Sequence, residues 1–181
     1  MISITLPDGS IRAFAPGTTP MEVAKNISEG FARNVISASF EGTTIETSTP
    51  LTTDGSLILY TWNDAEGKKA FWHSTSHVMA QVLEEMFPGI QLTLGPAIAN
   101  GFYYDVDFGD QKITEADFKA IESRILEISK EKHEFKMRAV TKAEALETYK
   151  DNVYKTELIS NLEDGTITFC DHATFTDLCR G

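Results

Sequence analysis

His73 and His77 stand four residues apart in His73-Ser74-Thr75-Ser76-His77. On an α-helix this spacing puts two imidazoles one turn apart on one face. There they can converge on a metal ion, a water or a substrate carbonyl. Cys179 adds a third group of the kind that ligates zinc or acts as a nucleophile. Cys170 and His172 are further candidates by type, although Cys-x-His is an unusual spacing for a metal knuckle. His133, in Lys132-His133-Glu134, reads as a solvated residue at a charged helix end. Tyr103, Tyr104 and Asp105 follow Gly101-Phe102 and read first as a strand of alternating aromatics. Lys130, Lys132, Lys136, Arg138 and Lys142 form a locally basic stretch, which is either a solvated helix end or a contact for an RNA backbone. The sequence has no GxxxxGK[ST], GxGxxG or GxSxG motif, so nucleotide hydrolysis and hydride transfer have no support.

These groups need elements to hold them. A helix is expected over 74–87, ending before Pro88-Gly89. At about 100° per residue, Val78, Met79, Val82, Leu83 and Met86 gather on one side. His77 lies nearly opposite, with Gln81 and Glu84 extending its face, so the histidines meet solvent or line a polar cleft. Strands are expected at 91–93 and 101–107, with Leu94-Gly95-Pro96 as a turn between them. A longer helix begins at Thr114, with Phe118, Ile121, Ile125 and Ile128 as its apolar stripe. A strand at 135–140, a helix at 142–149 capped by Thr141, and Asp164-Gly165 as a turn between short strands complete this part.

Upstream, Ile2, Ile4 and Leu6 alternate with polar neighbours as a half-buried strand does. Asp8-Gly9 marks a hairpin into a strand at 11–14. Thr19-Pro20-Met21-Glu22 has the signature of a capped helix start. Val23, Ala24 and Ile27 supply that helix's stripe, and Gly30 its expected stop. Strands at 35–40 and 56–60 follow. The order ββα and then strands predicts a ubiquitin-like β-grasp. Residues 62–69 are polar and non-periodic and read as a linker. The fold class is α+β, with domains at 1–61 and 70–181.

Composition bounds the function. The chain has 181 residues, 41% of them hydrophobic, and a formal charge of −11, which suits a soluble protein and disfavours non-specific duplex binding. It has no apolar run of about 18–20 residues to cross a membrane. The N-terminus lacks the basic flank and apolar core of a signal peptide. Two cysteines make no disulfide framework. A cytoplasmic location is expected, and no membrane partner.

Taken together, Trp72-His73-Ser74-x-x-His77, Gly95-Pro96, Gly101-Phe102-Tyr103-Tyr104-Asp105 and Asp177-x-Cys179-Arg180-Gly181 resemble the N-terminal region of bacterial threonyl-tRNA synthetases. The resemblance covers essentially the whole chain. It implies a TGS domain over 1–61. It implies an editing domain over 70–181, of the second additional domain type shared with alanyl-tRNA editing proteins. In the family the last motif reads CRGPH and its histidine completes the site. This sequence stops at Gly181, so its editing domain is expected to be a truncated piece of a longer protein.

Serine is threonine without a methyl, and a pocket rejects that loss by only about 1–3 kcal/mol. A second site must therefore hydrolyse seryl-tRNA(Thr). By resemblance, His73 and His77 hold and activate the water or the terminal ribose. Asp177 and Lys155 polarise, position or protonate the leaving hydroxyl. Tyr104 positions the seryl group or the 3′ end, and Cys179 lines the pocket. In relatives a His/Cys set can hold zinc, for which His73, His77 and Cys179 would be the ligands, but the threonyl enzymes imply ordered water and no resident metal. ATP, magnesium and zinc belong to the full-length enzyme, implied to be a homodimer through domains absent here. The implied partner is the acceptor end of tRNA(Thr). The TGS-like part carries three basic residues, Arg12, Lys25 and Arg33, against six acidic, so its expected work is docking and not broad phosphate binding. The alternative reading is a non-catalytic tRNA- or protein-binding module that lacks the last histidine.

Overall fold

Alternation along Ile2, Ile4 and Leu6 buries all three, and Ile4 is fully enclosed. In the computed structural model, which describes residues 1–179, they begin a five-stranded sheet. Its strands are β1 (Ile2–Thr5), β2 (Ile11–Phe14), β3 (Val35–Phe40), β4 (Thr43–Ile45) and β5 (Gly55–Thr61), in the order β2-β1-β5-β3-β4. β1 and β5 run parallel at its centre and the other pairs are antiparallel. Gly9 (φ 81°) closes the first hairpin, and Glu41 (φ 49°) with Gly42 (φ 76°) closes β3 to β4 through two left-handed residues.

The first helix, α1 (Pro20–Ile27), has the capping box the sequence announces, with Thr19 and Glu22 exchanging bonds. It stops before Gly30. Ser28 turns extended, ends α1 and caps a second short helix, α2 (Glu29–Ala32). Val23 of α1 packs with Ile4, Ala38 and Leu57 of the sheet. Full burial of Val23, Ile4 or Leu57 contributes roughly 1.5–3 kcal/mol each.

The next helix corrects an expectation. α3 runs Ala65–Met86, not from Ser74, so much of the segment read as a linker is helical. The Asp64 carbonyl accepts its first bond from Lys68 N, while the Asp64 carboxylate turns back to Thr61 N at 2.7 Å. Gly67 reads as a helix breaker. Here it is required, because a Cβ would overlap the Thr61 carbonyl. Close packing overrides propensity.

The chain divides into two compact units, Met1–Trp72 and His73–Gly181. In the second, the part of α3 from His73 onward packs with α4 (Glu115–Glu131) through Val78, Val82, Leu83, Ile121 and Ile128. Phe118 is half-exposed and Ile125 only packs at the margin, so the apolar stripe of α4 is narrower than its sequence suggests. The strand expected at 101–107 is broken. β6 (Gln91–Leu92) pairs with β9 (Val106–Asp107), and β7 (Ala97–Ile98) with β8 (Gly101–Phe102), which leaves 103–105 as a loop. β10 (Phe135–Ala139), β11 (Thr168–His172) and β12 (Phe175–Cys179) form an antiparallel sheet. α5 (Lys142–Thr148) and α6 (Val153–Ser160) lie between β10 and β11 in sequence. α6 has no amphipathic stripe, and its start rests on Asn152 accepting from Lys155 N at 3.0 Å. Asp164-Gly165 turns between α6 and β11, not between strands.

Candidate functional site

In β12 alternate residues share a face. Phe175, Asp177 and Cys179 are all buried, and Phe175 packs in the core with α3. The same face brings Asp177 and Cys179 to the histidines of α3. His77 Nδ1 donates to Asp177 Oδ2 at 2.8 Å. Tyr104, in the loop between β8 and β9, donates its hydroxyl to the same oxygen at 2.7 Å. Lys155 of α6 donates to Oδ1. His73 Nε2 is 3.3 Å from His77 Nε2 and 3.0 Å from Cys179 Sγ. His73, His77, Tyr104, Lys155, Asp177 and Cys179 therefore meet in one cluster. The middle of the histidine face of α3 lines a polar cluster, where His77 is only 4% exposed, while Glu84 at its far end is exposed. His73 is the less buried of the two.

Burial by itself would push the Asp177 carboxyl up. The His77 hydrogen bond and the Lys155 ammonium outweigh it and hold the group well below the usual carboxylate range. An ionised carboxylate only accepts, so His77 carries a proton on Nδ1 and turns Nε2 toward His73. Burial and the Asp177 charge push the Tyr104 phenol far up, so it stays a donor. Burial, with the same charge second, pushes the Cys179 thiol up to about 12. At neutral pH Cys179 is a thiol, unsuited to act as a nucleophile.

One ring nitrogen of His73, one of His77 and the Cys179 Sγ lie within 4.8 Å of one another. Tetrahedral zinc, with bonds of about 2.0–2.1 Å to nitrogen and about 2.3 Å to sulfur, needs neighbouring donors roughly 3.3–3.6 Å apart. The histidine pair has that spacing, and Asp177 on His77 Nδ1 is a carboxylate-to-imidazole support of the kind found behind metal-bound histidines. The residue types fit zinc, while His73 Nε2 and Cys179 Sγ, at 3.0 Å, stand closer than that spacing.

The other candidates go elsewhere. His172 Nδ1 pairs with Gln81 Oε1 at 2.9 Å, and its ring stacks on Phe135. Cys170 lies opposite Asp177 in the ladder but outside the donor group. His133 is exposed and pairs with Glu131 at 2.8 Å. In the basic stretch, Arg138 binds Glu144 and Asp171, and Lys142 Nζ donates to the Ser160 and Leu162 carbonyls. Arg180 and Gly181 of the last motif lie outside the described residues.

Residues 2–61 match the TGS domain family. The whole chain is 88% identical to the threonine–tRNA ligase of Flavobacterium johnsoniae, 82% to that of Flavobacterium psychrophilum and 51% to that of Parabacteroides distasonis. The chain is homologous to the N-terminal region of threonine–tRNA ligases. It spans 28% of the length of each of these relatives.

Three residues support the cluster in ways the sequence reading did not assign. Ser76, fully buried, donates to the carbonyls of His73 and Gly95, at 2.7 and 2.9 Å. Gly95 lies under the Tyr104 ring, where a Cβ would collide. Tyr149 covers Lys155. Only Gly95-Pro96 left a trace in the sequence, as a turn and as one of the motifs of the resemblance. A helical serine and a tyrosine at a helix end carry no pattern.

Proposed function

We propose that the second unit hydrolyses the ester of mischarged seryl-tRNA(Thr). The observation that carries this reading is the hydrogen-bonded chain from Lys155 through Asp177 and His77 to His73, joined by Tyr104 on Asp177. His73, at the less buried end, takes a proton from water as it attacks the ester carbonyl and passes it to the departing ribose hydroxyl. His77, held in one tautomer by Asp177, orients His73. Lys155 offsets the Asp177 charge. Tyr104 fixes the wall against which the seryl group lies, and Cys179 lines the site as a thiol. Zinc held by His73, His77 and Cys179 would polarise the carbonyl or a bound water. We favour ordered water, because His73 Nε2 already bonds both His77 Nε2 and Cys179 Sγ.

The parent is inferred to be a cytoplasmic threonine–tRNA ligase. Its ATP, magnesium and zinc chemistry and its homodimer contacts would belong to regions this chain does not span. The acceptor end of tRNA(Thr) is the proposed partner, and docking the proposed work of the TGS domain.

The test is deacylation of labelled Ser-tRNA(Thr) and Thr-tRNA(Thr) by this chain, with and without a chelator. Selective loss of the seryl ester, unchanged by chelation, is expected. Loss of both esters alike would overturn the assignment. No hydrolysis alongside retained tRNA binding would make the chain a binding module.

A further inference from the structure

Lys155 is an ammonium with 1% exposure. Its salt link to Asp177 accounts for one side of it. On another side Nζ stands 4.5 Å from the centroid of the Tyr149 ring. Tyr149 ends α5, and its hydroxyl donates to the Thr176 carbonyl at 3.0 Å, next to Asp177 in β12. Its own carbonyl accepts from Asn152 N at 2.9 Å and Thr156 Oγ1 at 2.8 Å, which fixes the turn into α6. Phe169 meets the ring edge-on at 5.4 Å. One residue thus ties together the turn before Lys155, the strand that bears Asp177 and the ammonium between them. A cavity of about 330 Å³ lies beside it, lined by Tyr149 and Lys155 together with Glu84 and Asn152.

A buried ammonium has lost its water shell, and a desolvated cation gains more from an aromatic face than an exposed one. Without that face, the cavity offers Lys155 room to swing away from Asp177. Asp177 would then keep its bonds to His77 and Tyr104 but lose its fixed counter-charge. We infer that Tyr149 is a positioning residue for the site: its ring face holds the Lys155 ammonium against Asp177. The inference rests on the hydrolytic reading above and adds to it a residue that touches none of the reacting atoms.

The test separates the ring from the hydroxyl. Tyr149→Phe loses only the bond to the Thr176 carbonyl. Placing 4-fluoro-, 3,5-difluoro- and pentafluorophenylalanine at position 149 of the full chain then weakens the ring's negative face stepwise at nearly constant shape. The melting temperature should fall along the series in the wild-type background and stay level in Lys155→Met. In the seryl-ester assay kcat should fall in step, by about 2- to 30-fold in all, with KM unchanged. A flat melting series overturns the contact. A sloping melting series with flat kcat overturns the positioning role. If the wild-type chain hydrolyses no ester, the hydrolytic reading fails and the melting series alone decides the inference.

Discussion

Asp177 accepts from three side chains at once, and each bond has a different consequence. The bond from His77 sets a tautomer, the bond from Tyr104 fixes a wall, and the link to Lys155 balances charge. Asp177→Asn leaves the Lys155 ammonium buried without a counter-charge and should cost about 3–5 kcal/mol in urea unfolding. Its pH signature follows from the lowered carboxyl. Burial opposes the shift, but the hydrogen bond from His77 and the Lys155 charge win. The stabilisation is then complete above the ordinary unfolded value of about 3.9 and drains as pH falls through the lower folded one. Thermal melts of wild type and Asp177→Asn should therefore converge under strong acid; a constant gap down to the lowest pH would contradict the buried pair. His73→Ala in the full-length parent should let Ser-tRNA(Thr) accumulate while threonylation proceeds. A parallel loss of threonylation would argue against a separate editing site.

At the scale of elements, two glycines stand where backbone or ring approaches closely. Gly67→Ala should gain about 1 kcal/mol in helix propensity and lose more, because the new methyl falls on the Thr61 carbonyl. We expect a net loss of up to about 2 kcal/mol, taking overpacking as costing about 1–3 kcal/mol, read from the urea midpoint. An unchanged or higher midpoint would mean that the helix start can shift freely. Gly95→Ala should push the Tyr104 ring off its place and break the bond to Asp177. Seryl-ester hydrolysis should drop while the circular dichroism spectrum stays the same. α6 belongs to this scale too. Its residues make no stripe; the Asn152 cap, the Thr156 bond to the Tyr149 carbonyl and the packing of Ile159 define it, yet it carries Lys155.

On the scale of the whole molecule, each unit has its own core. Ile4, Val23 and Leu57 anchor the first, and Val82, Ile128 and Phe169 lie in the clusters of the second. Leu57→Ala should cost the first unit about 2–5 kcal/mol. Amide exchange at Asp177 and Cys179 should stay as in wild type under conditions where both units are folded. Faster exchange there would show that the two cores unfold together. The sequence alone sufficed for what local periodicity and capping encode: the β-grasp order, the Thr19–Glu22 capping box, the helix that begins at Thr114, and the histidine pair one turn apart. It also carried the motifs that mark the homology to threonine–tRNA ligases. Tertiary structure alone decided the early start of α3, the broken strand around Tyr104, the existence of α6 and the burial of His77. Each of these depends on partners roughly 20 to 100 residues away or on a close backbone approach. Such contacts obey shape and charge in three dimensions, and they leave no period in the chain.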